Sequence, residues 1–367
     1  MSQYLVSFRG ATLVQKEVDA LKSIEEQLQR RFISLKHFWD FGALTPAETI
    51  GFFAKDGHIN TFLFNKAELT QFPEYLPMFK HLERISFKYN LEMPLSSDLV
   101  KIPSLKKVYF QYNQYSELPD FFSEFPCIEY LGLGDNNFTE FPEPLLKLPI
   151  LKDLDLKASK LTSLPPQIKR LTSLFRINLD ENHFNLFPKS LLKLPKLQIL
   201  TLSKNTISNI PHSISALSRL TILYVRENRL TSLPESIGRL TKLEYLNLAR
   251  NNLKELPDSI GNLRDLKTFY VNDNQLETLP PTFGYLKNLE SLNINGNQLK
   301  TLPASFTRLT KLTHLSVFGG DEIDREWGTN KDLELTPEQE RFLNEIRRRY
   351  WTGWAEAASS EIKNLDP

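Results

Sequence analysis

Apolar residues along this chain return at fixed places in a 23-residue frame. Leu243, Leu246, Leu248 and Leu253 lead to Leu256-Pro257, with Glu244, Tyr245, Asn247 and Arg250 between them. The frame is L-x-x-L-x-L-x-x-N-x-L-x-x-L-P, continued by x-x-I-x-x-L-x-x. It starts at Ile59, Leu82, Leu105, Ile128, Leu151, Leu174, Leu197, Leu220, Leu243, Leu266, Leu289 and Leu312. Every step is 23 residues, which makes eleven full units and a truncated twelfth without insertions. The L-x-L core alternates with period two, so it predicts a short strand with both leucines on one face. One unit cannot bury that face alone. Stacked copies can, as a parallel sheet with strands about 4.8 Å apart over a continuous core.

Two further positions punctuate the frame. Asn fills the ninth place at Asn90, Asn113, Asn136, Asn182, Asn205, Asn228, Asn251, Asn274 and Asn297, and is replaced by Ala67, Ser159 and Gly320. Pro fills the fifteenth place in ten units, from Pro73 to Pro303. Its fixed φ and missing N–H end the strand-side segment and start the return on the opposite side. Unit two departs, with Pro94 early and Ser96 in the proline slot, which predicts a reshaped convex loop there.

With these residues in place, the sequence resembles the leucine-rich repeat family over 59–318. It is similar to the intracellular Ras-scaffold and Ras-suppressor type, the plant intracellular Ras-group-related type and many prokaryotic members. The resemblance implies an α/β solenoid: a horseshoe with a parallel concave β-sheet and capped ends. It also implies that the ninth-position asparagines form a ladder of side-chain bonds to backbone.

The ends are expected to cap the core. Residues 1–58 read as a helix and hairpin cap. Leu13, Val14, Val18, Leu21, Ile24 and Leu28 have helical spacing within 11–37. Thr45-Pro46-Ala47-Glu48 resembles a helix start, and the run from Phe52 through Asp56-Gly57 to Ile59 predicts a hairpin. Residues 319–367 read as a helical C-terminal cap and tail. The repeat dies at Phe318-Gly319-Gly320, and Thr336-Pro337-Glu338-Gln339 starts a helix carrying Phe342, Ile346 and Tyr350. Arg347, Arg348 and Arg349 suit its C-terminal end, and Trp327, Trp351 and Trp354 are expected to plug the core.

Composition narrows the function classes. The chain has 367 residues with 45 basic and 44 acidic side chains, a net charge of +1 that gives no reason to bind nucleic acid or an anionic membrane. No stretch reaches the roughly 20 apolar residues of a membrane-spanning helix. The N-terminal residues lack a secretory pattern, so a cytoplasmic location is expected. One cysteine, Cys127, excludes an internal disulfide and cysteine-clustered metal. No phosphate-binding loop, H-E-x-x-H or G-x-S-x-G is present, and the six histidines lack ligand spacing. No cofactor, no metal and no catalytic residue are expected. Asn137-Phe138-Thr139 matches a glycosylation sequon, read as accidental without a secretory route.

Function is therefore sought on the concave face, at positions three, five, seven and eight of each unit. Units two to four place Arg84, Lys88 and Tyr89, then Lys107, Tyr109, Gln111 and Tyr112, then Tyr130 and Asp135 there. Units five and six add Asp153, Asp155, Lys157, Arg176, Asn178, Asp180 and Glu181. Units eight to ten add Tyr224, Arg226, Glu227, Tyr245, Asn247, Arg250, Tyr270, Asn272 and Asp273. Tyrosine and arginine bury large rigid areas while keeping a polar tip, and acidic residues are poor strand formers. The expected partner-binding set is Arg84, Tyr89, Lys107, Tyr109, Tyr112, Tyr130, Asp153, Asp155, Arg176, Asp180, Tyr224, Tyr245 and Tyr270. The reading is a non-catalytic scaffold for a protein partner, possible roles including signalling. The resemblance makes a small GTPase one candidate partner. The alternatives are a bacterial effector or enzyme with its activity in the C-terminal segment, and a structural or adhesion protein.

Overall fold

The period-two leucines do what isolated strands cannot, because from the second repeat onward each strand is three residues long and is held by its neighbours. The computed structural model describes residues 5–35, 50–91, 93–148, 150–317, 333–346 and 348. These fall into two compact units, Met1–Asn182 and His183–Pro367.

The first unit opens with β1 (Leu5–Phe8) and β2 (Ala11–Val14), antiparallel strands turned at Arg9 and Gly10, whose φ values are 52° and 81°. α1 (Gln15–Leu28) follows and ends on a left-handed Gln29. The helical reading of 11–37 is thus too long at both ends. Ala11-Thr12-Leu13-Val14 pairs with β1 instead, since its β-branched residues fit a ladder better than a helix. Val18, Leu21 and Ile24 of α1 are buried. Glu17 is buried too, accepting a bond from the Ile59 amide at 2.7 Å and lying 3.0 Å from His58 Nδ1.

β3 (Ile33–Ser34) runs parallel to β4 (Ile50–Lys55), which pairs antiparallel with β5 (His58–Phe64) across the Asp56-Gly57 turn. Both turn residues have positive φ, as a two-residue hairpin requires. The expected helix start at 45–48 lies outside the described residues. From β5 onward the strands are parallel: β6 (Arg84–Ser86), β7 (Lys107–Tyr109), β8 (Tyr130–Gly132), β9 (Asp153–Asp155) and β10 (Arg176–Asn178). Register advances by one repeat per strand, so Arg84 faces Lys107 and Tyr130 faces Asp153.

The second unit repeats the device with β11 (Ile199–Thr201), β12 (Ile222–Tyr224), β13 (Tyr245–Asn247), β14 (Thr268–Tyr270), β15 (Ser291–Asn293) and β16 (His314–Ser316). Residues 337–346 form α2. Thr336 Oγ1 accepts from the Gln339 amide while Gln339 Oε1 accepts from the Thr336 amide, a reciprocal capping box. Gln339 Nε2 also donates to the Leu302 carbonyl, and Phe306 meets Phe342 edge-on at 6.2 Å, fastening α2 to the last full repeat. Trp327, Trp351, Trp354, Tyr350, Arg347 and Arg349 lie outside the described residues, so the reading of a tryptophan plug does too.

Inside each unit the ninth-position asparagine is buried and saturated. Asn228 Nδ2 donates to the carbonyls of Leu202 and Val225, and its Oδ1 accepts from the Ile207 amide at 2.9 Å. Asn251, Asn274 and Asn297 repeat this pattern. Ser159 breaks it: the residue is buried, and its hydroxyl has no hydrogen-bond partner. The fifteenth-position proline starts a single 3-10 turn, its carbonyl accepting from the amide three residues on, as Pro119 does from Phe122. Ser96 replaces this proline with a side-chain cap, its Oγ accepting from the Asp98 amide. The convex turn of repeat two, Ser97–Lys101, therefore keeps the common register. The irregularity expected there lies earlier, in the segment between Asn90 and Ser96.

Candidate functional site

Positions three and five of each strand face away from the leucine core because the strand alternates. In the first unit they bring the basic and aromatic residues of β6–β8 beside the two aspartates of β9, with Arg176 and Asn178 of β10 next to them. Tyr109 and Tyr130 pack with ring centroids 4.6 Å apart, and the Lys88 ammonium lies 5.5 Å from the Tyr109 ring centre. Tyr89 and Tyr112, both at position eight, stack at 4.4 Å with planes 3° apart. Asp135 occupies the same position in the next repeat.

Gln111 ties the aromatic and acidic halves together. Its Nε2 donates to Tyr130 Oη at 3.1 Å and to Asp155 Oδ2 at 3.3 Å. Space for that side chain comes from Gly132, where a Cβ would sit 2.2 Å from Gln111 Nε2. Gly134 gives similar room to Asp155, whose carboxylate would lie 3.4 Å from a Cβ there. The sequence reading named Gln111 without giving it a place in the binding set, and it passed over both glycines. The available signal was two glycines at alternate positions, Gly132 and Gly134, with Leu131 before them and Leu133 between.

Charges here are incompletely matched. Arg176 reaches Asp153 only at 3.6 Å, and Lys157 meets Glu181 at 3.2 Å. Asp153 Oδ1, Arg176 Nε and Gln111 Oε1 are buried without hydrogen-bond partners. Burial raises the Asp153 carboxyl above the ordinary aspartate range despite the Arg176 charge, and burial likewise raises Asp135. Burial lowers the Lys88 ammonium and pushes the Tyr109 hydroxyl up to about 12. Tyr130 is raised by the same cause. Such costs are uncommon on a surface shaped by folding alone, where exposed groups stay solvated.

Of the expected residues, Arg84 and Lys107 face one another on β6 and β7, and Lys107 lies beside Tyr130 in register. Asp180 sits just past β10, its amide donating to Asn178 Oδ1. Tyr224, Tyr245 and Tyr270 belong to the second unit, on β12, β13 and β14. Tyr245 and Tyr270 are exposed there. Beside them Arg250 bridges Glu227 and Asp273 at 3.4 and 3.6 Å.

Among the described residues, no group of three His, Cys, Asp or Glu could hold a metal ion, and no helix is long and apolar enough to cross a membrane. Cys127 is exposed.

Family models describe the chain as a leucine-rich repeat region over residues 234–330 and as leucine-rich repeat over 184–230. A search of curated proteins gives no match. Among solved structures, a leucine-rich repeat protein of Leptospira interrogans is 22% identical with a TM-score of 0.64, covering 94% of this chain and 93% of its own. An internalin from Listeria monocytogenes is 19% identical with a TM-score of 0.54, covering 87% of this chain and 94% of its own. A chain from the octameric complex of Latrophilin 3, Unc5D and the leucine-rich repeat protein FLRT2 is 25% identical with a TM-score of 0.57, covering 76% and 89%.

Proposed function

We propose that this chain, whose residues 184–230 and 234–330 match leucine-rich repeat models, is a non-catalytic scaffold whose sheet face docks a protein partner. One observation carries this reading: the first unit's sheet face holds half-buried carboxylates, an orphaned amide oxygen and paired tyrosines that serve no core. Tyr109, Tyr130 and the Tyr89–Tyr112 pair supply rigid anchor area. Asp153, Asp155 and Arg176 supply directional charge that a docked partner would complete. The structural neighbour from the Latrophilin 3, Unc5D and FLRT2 complex supports partner binding as the use of such a solenoid.

The finer terms of the proposal are a signalling role in the cytoplasm, with a small GTPase among the candidate partners. No cofactor or metal enters. The test is affinity capture with wild-type protein and a variant carrying Tyr109→Ala, Tyr130→Ala, Asp155→Ala and Arg176→Ala, shown by circular dichroism to stay folded. A prey held by wild type and lost by the variant is the expected result. Equal retention by both would move binding to the caps or the convex side and sink the proposal.

A further inference from the structure

Position eight is where each repeat turns out of its strand. Lys66, Tyr89, Tyr112 and Asp135 occupy it in four successive repeats with φ of 52°, 60°, 61° and 56°. With matching backbones, their side chains leave the sheet edge in parallel, about one strand spacing of 4.8 Å apart. That spacing suits stacked rings, and Tyr89 and Tyr112 use it at 4.4 Å. Asp135 follows Tyr112 at the same position of the next repeat. The ring pair therefore gives way to a carboxylate at Asp135 on one side, and to Lys66 in place of a ring on the Tyr89 side.

A cavity of about 450 Å³ lies at that end, lined by Lys66, Glu68, Leu69, Thr70, Tyr89 and Leu91. No lining residue comes from the third repeat, so the cavity is on the side of Tyr89 away from Tyr112. Its origin is visible in the frame. At the eleventh position other repeats place an apolar residue, such as Leu69, Tyr115 or Phe138, but repeat two has Glu92. The next residue, Met93, is buried instead, and its carbonyl accepts a bond from Tyr115 Oη at 3.0 Å. Asn113 Oδ1 takes the Asn90 amide, 23 residues back, where other ladder asparagines accept 21 residues back. The core contact of repeat two is thus shifted along the chain, and Leu91 is left 56% exposed at the cavity wall over buried Leu69.

We propose that this cavity receives one aromatic side chain of the docked partner, as the third ring of the Tyr112–Tyr89 stack. The proposal rests on the docking reading above and specifies its anchor. An aromatic ring fits this place better than an aliphatic chain. It meets the face of Tyr89, its edge lies against Leu69 and Leu91, and the Lys66 stem borders it. Glu68 at the rim is bound to Arg30 at 2.8 Å, which keeps a carboxylate out of the slot.

The probe is N-acetyl-4-fluorophenylalanine amide, followed by fluorine NMR in the presence of the full chain. Saturable line broadening is expected. N-acetyl-cyclohexylalanine amide, of similar size without a π face, should compete about tenfold more weakly, as expected for a lost ring contact. Tyr89→Leu and Leu91→Arg should each abolish broadening, and Leu91 is exposed enough that its replacement leaves the core intact. Absent broadening, broadening that persists in both variants, or equal competition by the cyclohexyl compound would each overturn the proposal. If the probe fails while capture still depends on Tyr109, Tyr130, Asp155 and Arg176, this inference falls alone. If the probe binds as expected and no prey depends on those four, the docking reading falls and the aromatic slot stands.

Discussion

Asp153 shows how a single side chain can be poor for folding and useful for binding. Its carboxyl is raised above 3.8, the ordinary aspartate value, chiefly by burial. The folded state therefore binds that proton more tightly than the unfolded chain, and stability falls as pH rises from that value through the folded pKa. Asp153→Asn should raise the melting temperature at neutral pH, and the gain should vanish below about pH 3.8, where wild-type Asp153 is protonated in both states. Thermal scans at several pH values check this, and a gain that grows on acidification would refute the burial account. Ser159 is a second residue-scale case. Its hydroxyl is buried and unbonded where four other repeats of the first unit carry asparagine. Ser159→Asn should restore the bond to the Phe138 amide that the 21-residue spacing provides elsewhere, adding about 1 kcal/mol. The readout is a higher urea midpoint at unchanged slope.

The repeated elements are tuned differently in the two units. In the first, position six carries Phe64, Phe87 and Phe110, stacked at 5.3 and 5.6 Å, so ring packing spaces the strands inside the core. In the second, Gly238, Gly261 and Gly284 recur in the 3-10 turns, which then pack backbone to backbone. A Cβ on Gly261 would lie 2.4 Å from the Thr282 carbonyl oxygen and 2.8 Å from Thr282 Cβ. Gly261→Ala should therefore force the turns apart at a cost of about 1–3 kcal/mol. Denaturant unfolding measures it, and an unchanged midpoint would mean that the turns yield freely.

Across the whole chain, 45 basic and 44 acidic side chains leave almost no net field. Within the first unit's cluster, Arg84, Lys88, Lys107, Lys157 and Arg176 oppose Asp135, Asp153, Asp155, Asp180 and Glu181. Long-range steering is therefore weak, and partner affinity should come from close contact. Raising salt from low to physiological should weaken a captured partner by less than about tenfold. Titration at several ionic strengths tests this, and a steep dependence would point to a strongly charged partner outside the proposal.

Much of the architecture was legible because a repeat frame is a local code. Leucine positions set strand faces, Asn nine and Pro fifteen set where the chain turns, and identical spacing sets register. The Asp56-Gly57 hairpin was legible for the same reason, since turn chemistry is local. The strand at 11–14 was not, because Leu13 and Val14 suit a helix face until β1 offers a ladder. The sequence by itself determined a leucine-rich repeat solenoid and which side chains leave its sheet. Only the tertiary structure decided that Gln111 lies over Gly132, that Asp153 Oδ1 is buried without a partner, and that repeat two buries Met93 beside an open slot at Tyr89. The physical reason is that these depend on contacts between repeats, where one side chain fills or leaves the space its neighbour sets, and no single repeat encodes that.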